Sequence, residues 1–189
     1  MTLVSDLTGR GFVITGGPGA GKTTLVEALA RTGVRVMPEA GRAVIQDQAA
    51  IDGPGRPQVD PMLFAELQLA HDLARHREAA VGEGPVVFDR GIVDVVGYLR
   101  LIGREPPPHL LRAAQRLRYD HRVLVAPPWA AIYANDPERT QDFAEAVATH
   151  AAVSAAYVEA GYDLVDLPLA DVEARVRFVR ERIGRLVDR

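Results

Sequence analysis

Short apolar runs divide the chain, and between them apolar positions recur at helical spacing. The runs are GFVIT (11–15), VRVM (34–37), VVF (86–88), RVLVA (122–126) and YDLVDL (162–167). The first four stop at Gly16, Pro38, Asp89 and Pro127. Runs of this length, bounded by turn residues, read as buried strands. Helical patterns follow them at 22–31, 39–50, 92–102, 109–118, 141–159 and 172–187. A longer one opens at Asp60-Pro61 and runs to Val81, with apolar residues at 63, 64, 67, 70, 73 and 74. Proline just inside its start fits a helix N-terminus. IDGPGRPQVDP (51–61), GEGP (82–85) and REPPP (104–108) are punctuated by glycine and proline and read as loops.

Five strands alternating with helices predict an α/β fold: a three-layer P-loop NTPase fold, a five-stranded parallel sheet with helices on both faces. The 189 residues suit one domain, 1–189, and neither a repeat nor a linker-like stretch divides them. The apolar fraction of 48% and charged fraction of 25% are ordinary for a globular protein. A net charge of −3 and a pI of about 6.0 argue against nucleic acid as a partner. The chain has no cysteine, which excludes disulfides and thiolate metal sites. No apolar run reaches the roughly 18 residues a membrane helix needs. MTLVSDLTGRGF lacks the plan of a secretory signal, so the expected location is cytoplasmic.

The chemistry starts after the first strand. Gly16-Gly17-Pro18-Gly19-Ala20-Gly21-Lys22-Thr23 matches G-x-x-x-x-G-K-[ST], and Thr24 follows. Backbone N–H groups of such a loop turn inward around a β-phosphate, and the following helix adds its positive end. Lys22 is placed to reach the β- and γ-oxygens, and the Thr23 hydroxyl to ligate Mg²⁺. Lys22 is also the only lysine in the chain. That removes the Asn/Thr-Lys-x-Asp element of guanine-reading GTPases. There is no LSGGQ-like stretch and no room for the extra helical domain of AAA+ machines. Small-molecule kinases are what remain.

An acceptor needs an orienting carboxylate or base, and open α/β sheets bind ligands beyond their strand ends. Two carboxylates lie there: Glu39 in PEAGR, with Arg42 one turn on, and Asp89 in FDRG, followed by Arg90. Asp89 is a candidate metal-water ligand or base. Plainer readings stand beside these: Glu39 as a carboxylate at a helix start, Asp89 as a strand-end cap, Arg90 as a salt-bridge partner. Glu39, Asp94 and Arg100 are further candidates to pair with one another.

GGPGAGKTT, PEAGR after the second strand and FDRG after the third resemble the layout of the deoxynucleoside and thymidylate kinase group. That resemblance implies Glu39 as base toward a hydroxyl, Asp89 at the Mg²⁺ water shell and Arg90 on the transferred phosphoryl group or the acceptor. It also implies acceptor contacts from Phe64, Gln68 and Arg75 in the long helix, with Asp94 beside them. Taken over nearly the whole length, through VITGGPGAGKTTLVEAL, PEAGRAVI, FDRGIVDVVGYL, APPW, DPERTQDF and GYDLVDLP, the chain resembles bacterial P-loop proteins of AAA-type ATPase or nicotinamide-riboside-kinase-like type. The resemblance makes ATP the expected nucleotide, with adenine against DLPLAD (166–171) and Pro168, and Arg139 the arginine of a lid at about 129–141.

None of the five histidines forms a spaced metal motif. The arginine-rich 174–185 reads as a helix with an apolar face (Val172, Val176, Val179, Ile183) and a solvated basic one. The expectation is an ATP- and Mg²⁺-dependent small-molecule kinase with no nucleic-acid or membrane partner and a homodimer left open. The competing expectation is a regulatory ATPase that signals to a protein partner.

Overall fold

The protein is described from a computed structural model, which covers residues 6–133 and 142–184. The strands are β1 (Gly11–Gly16), β2 (Arg35–Met37), β3 (Val86–Asp89), β4 (Arg122–Ala126) and β5 (Asp163–Asp166). The helices are α1 (Lys22–Arg31), α2 (Ala40–Ala50), α3 (Pro61–Val81), α4 (Ile92–Leu101), α5 (Pro108–Arg116), α6 (Phe143–Glu159) and α7 (Val172–Gly184). A single 3-10 turn, Ala130–Ile132, follows β4.

All five strands are parallel, in the order β2-β3-β1-β4-β5. Central β1 is buried at every position, pairing Val13 with Phe88 and Ile14 with Leu124. Successive side chains alternate between faces. Phe12 and Ile14 pack with Leu25, Leu29, Val179 and Ile183 of α1 and α7. Val13 packs on the other face with Leu69, Val93, Val96 and Tyr157 of α3, α4 and α6. Burial on both faces explains why these strands read as unbroken apolar runs.

The fifth strand and the buried face of α3 differ from the sequence reading. The fifth strand spans only Asp163–Asp166; it is a sheet edge, half-buried or exposed, with Tyr162 and Leu167 buried just outside it. On α3 the buried residues are Phe64, Ala65, Leu69, Asp72, His76 and Ala79, while Ala70 and Ala74 are exposed. The helix packs against both α2 and α4, so its inner face is broader than one apolar stripe and includes two polar side chains. Its start is as expected: the Asp60 carboxylate accepts from the N–H groups of Met62 and Leu63 at 3.1 and 2.9 Å, ahead of Pro61.

Candidate functional site

A cavity of about 550 Å³ opens along the loop between β1 and α1. Pro18–Leu25 form one wall, Glu39 and Arg42 another, and Trp129, Ile132, Tyr133, Ala170, Asp171, Val172 and Arg175 complete the lining. Gly21 caps α1 with φ +73°, a left-handed conformation that costs glycine nothing. At Gly17 the reason for glycine is space, since a Cβ there would overlap the carbonyl oxygen of Ala146 on α6. Lys22 is buried, and its Nζ donates to the Gly17 carbonyl oxygen at 2.6 Å, holding the loop in its turn. Thr23 and Thr24 are exposed at the helix start, where their N–H groups and hydroxyls face a ligand-sized space.

Beside this loop lies a cluster of acids around one cation. Arg90, just past β3, donates from Nε to Glu39 Oε1 at 3.1 Å and from Nη1 to Asp94 Oδ1 at 3.0 Å. These side chains are only 13%, 11% and 7% exposed. The Arg90 backbone is left-handed, φ +68°, which is unfavourable for a non-glycine residue and is held by its N–H bond to Ile14 at 2.9 Å. Asp94 accepts from four groups: Arg90, the Thr15 hydroxyl, the Gly91 N–H at 2.9 Å and the Tyr157 hydroxyl at 2.7 Å. Thr15 and Tyr157 come from β1 and α6, and nothing in their local sequence signals this use.

The charges set the protonation. Burial works against the Arg90 cation, but Glu39, Asp94 and Asp89 outweigh it and hold the guanidinium charged. Burial pushes the Asp89 carboxyl up to about 6, with Glu39 adding and Lys22 and Arg90 opposing. Asp72, deep on α3, is pushed up to about 8 by burial, then by Asp94.

The expected acceptor contacts divide. Glu39 and Arg42 line the cavity. Phe64 is buried edge-on against Tyr98, and Gln68 lies under Gly41 of α2. Gln68 Oε1 and Arg75 Nη1 are buried without a hydrogen-bond partner. Asp94 faces Arg90, Thr15 and Tyr157, and Arg100 pairs with Glu159 at 2.5 and 2.8 Å, away from Glu39 and Asp94. Pro168 is half-buried beside the segment 170–172 that lines the cavity. Arg139 and most of the expected lid lie outside the described residues. Arg175, assigned from the sequence to a solvated face, is 3% exposed and lines the cavity. Its signal was present: Arg175, Val179 and Ile183 stand four residues apart along one row of α7.

The donor set fits a hard divalent cation. Mg²⁺ is bound through one or two carboxylates plus phosphates and water, so it does not need a cage of protein ligands. Asp89 Oδ1 is buried without a hydrogen-bond partner, and the exposed Thr23 hydroxyl stands at the head of α1. Among the described residues no group of three or more His, Cys, Asp or Glu could hold a metal alone. No described helix is long and apolar enough to cross a membrane.

A family model described as an AAA domain matches residues 11–175, and the chain belongs to that family. No curated protein matches it in sequence. Among solved structures it is similar to a NadR protein in complex with NR, at 19% identity and a TM-score of 0.70 over 94% of this chain. The chain spans about half of that protein, 52% of its length. It is similar over 93% of its length to deoxyadenosine kinase from M. mycoides with bound dATP, at 10% identity and a TM-score of 0.67, covering 99% of that chain. Thymidylate kinase from Candida albicans matches over 94% of this chain and 92% of its own, at 14% identity and a TM-score of 0.58. At these identities the likeness establishes the fold, that of P-loop kinases.

Proposed function

We propose that this AAA-domain family member is a phosphotransferase that moves the γ-phosphate of Mg-ATP to a small nucleoside- or nucleotide-like acceptor. The observation that carries the reading is one continuous cavity lined by the phosphate loop and by Glu39 and Arg42. A carboxylate held by a buried arginine on the same cavity suits the orientation of an acceptor hydroxyl. The kinase fold of the structural neighbours, one solved with NR and another with dATP, supports a nucleosidic acceptor.

Residue by residue, the loop amides of Gly19–Lys22 and the Lys22 ammonium bind the phosphates. Glu39, fixed by Arg90 at 3.1 Å, orients the acceptor hydroxyl and takes its proton. The acceptor O–P bond forms as the bond from the γ-phosphorus to the β–γ bridging oxygen breaks, and ADP leaves. Arg90 offsets negative charge on the transferred group. Thr23 and, through water, Asp89 would hold a Mg²⁺ ion, which would supply charge neutralisation at the phosphates. Arg139 is the proposed lid arginine that excludes water over both substrates.

The test is ADP release from Mg-ATP with and without a panel of nucleosides and nucleoside monophosphates, for the natural chain and Glu39→Gln. Acceptor-dependent ADP release that Glu39→Gln lowers by at least about a hundredfold, with ATP affinity retained, is the expected result. Slow release that ignores the whole panel would move the protein to the second reading, a regulatory ATPase. One observation favours that second reading: Phe64 and Gln68 pack against Tyr98 and Gly41 and do not line the cavity that holds the phosphate loop.

A further inference from the structure

The far wall of the cavity contains a cation that the transfer steps above do not use. Arg175, in the first turn of α7, is 3% exposed. Its Nη1 donates to the Ala20 carbonyl oxygen at 3.0 Å, on the back of the phosphate loop. A Cβ on Gly21 would stand 2.9 Å from that same nitrogen, so the guanidinium is pressed against the loop at its helix-capping residue. Its opposite edge, Nε and Nη2, is buried and has no hydrogen-bond partner. Among the described residues no carboxylate forms an ion pair with it: neither Glu173, two residues before it, nor Asp171, whose Oδ1 accepts from the Ala174 N–H, pairs with the guanidinium. The guanidinium carbon lies 5.7 Å from the centre of the Trp129 ring.

A buried guanidinium without an anion is costly, and buried donors without acceptors add to the cost. Burial also holds the Arg175 pKa below its ordinary range. The edge left open is the one that matters: Nε and Nη2 form the side-on fork that meets two adjacent acceptors in one plane. A lysine ammonium cannot reproduce that fork. The cavity that Arg175 lines is the one walled by the phosphate loop, and an aromatic face lies beside the guanidinium.

We infer that Arg175 is a nucleotide-recognition residue whose free Nε–Nη2 edge receives two adjacent acceptor atoms of the bound nucleotide, beyond the phosphates that the loop amides hold. The inference rests on the nucleotide-binding part of the proposed function. Three parts of a nucleotide present such a pair: oxygens of the phosphate chain next to the nucleoside, the vicinal ribose hydroxyls, and the O6/N7 edge of guanine. Adenine shows N7 beside an amino donor and meets the fork with one acceptor only.

The chain has one tryptophan, so Trp129 emission reports on this wall alone. Mg-ATP, Mg-GTP and Mg-tripolyphosphate are titrated by calorimetry and Trp129 fluorescence into the natural chain, Arg175→Met and Arg175→Lys, with a thermal melt of each. Arg175→Met keeps the stem and Arg175→Lys keeps the charge, so a variant that fails to fold leaves the other to decide. Both variants are expected to weaken nucleotide binding about ten- to a hundredfold, with lysine recovering little. If tripolyphosphate weakens equally, the phosphate chain supplies the acceptors. If only nucleotides weaken, equal loss for ATP and GTP assigns the acceptors to the ribose hydroxyls and a larger loss for GTP assigns them to the base edge. Unchanged affinity of folded variants for all three ligands overturns the assignment of Arg175. A natural chain that binds none of them overturns the nucleotide reading itself.

Discussion

Removing Arg90 is the sharpest probe of the acidic cluster. Its guanidinium lies 3.1 Å from Glu39 and 3.0 Å from Asp94, and the three side chains are 13%, 11% and 7% exposed. Deleting one partner of such a buried pair leaves uncompensated charge, at a cost of about 3–5 kcal/mol. A second term runs the other way. Arg90 sits at φ +68°, and glycine there relieves roughly 1–2 kcal/mol of left-handed strain. Arg90→Ala is therefore expected to lose about 3–5 kcal/mol and Arg90→Gly about 1–2 kcal/mol less. At roughly 2–4 °C per kcal/mol for a chain of this size, Arg90→Ala melts about 6–20 °C below the natural protein. The deficit is pH-dependent, because Arg90 opposes the upward push that burial gives the Asp89 carboxyl. Without Arg90 the Asp89 carboxyl binds its proton at higher pH in the folded state, so the variant's deficit shrinks as pH falls from 7.5 to 5. Thermal melts of the three proteins at both pH values decide it. A deficit of the same size at both would refute the electrostatic account and leave only a packing loss.

Asp72→Asn tests the second buried acid. The Asp72 folded pKa of about 8 exceeds the ordinary 3.8, so the natural chain loses stability relative to the amide as pH rises from about 4 to 8, by up to about 1.4 kcal/mol per pH unit, and no further above that. Melting-point differences at pH 5 and pH 8 check this, and an equal difference at both contradicts it. Gly17→Ala pushes a methyl group into the Ala146 carbonyl, which is backbone and cannot swing aside, so about 1–3 kcal/mol of stability and much of the nucleotide affinity should go together. Calorimetric binding at the natural level would show that the loop yields there. Tyr157→Phe removes a 2.7 Å donor from Asp94 and should cost about 1.5–3 kcal/mol in urea unfolding; a loss under about 0.5 kcal/mol would mean Asp94 is held without it.

Much of the fold was legible because parallel strands covered on both faces are written as unbroken apolar runs, and β1, β3 and β4 are of that kind. The edge strand β5 blurred, since Asp163 and Asp166 are exposed while its buried neighbours lie beyond the ladder. The phosphate loop was legible because its residues are contiguous. Asp72 was not, because a polar residue on an amphipathic helix reads as solvated whatever packs against it; Arg175 was legible only through its place in one row with Val179 and Ile183, which its charge obscured. His76 shows the same failure: it is fully buried, edge-on to Tyr119, in a row that looked polar.

The convergence of the site itself is a property of strand order, which no local pattern encodes. The phosphate loop follows β1, Glu39 follows β2, and Asp89 ends β3. In sequence these are first, second and third; in the sheet β3 lies between β2 and β1. Asp89 and Arg90 therefore stand between the acceptor-side carboxylate and the phosphate loop, although some fifty residues separate each from Glu39. With the β2 strand inserted next to β1, Glu39 would reach Lys22 directly, and no place between the two would be left for an arginine. The order β2-β3-β1 puts the Arg90 cation beside both Glu39 and Asp94, and the bonds from Thr15 and Tyr157 to Asp94 reach it from β1 and α6. Left-handed strain at Arg90 is sustained by that surrounding network, which is where strain coincides with chemistry.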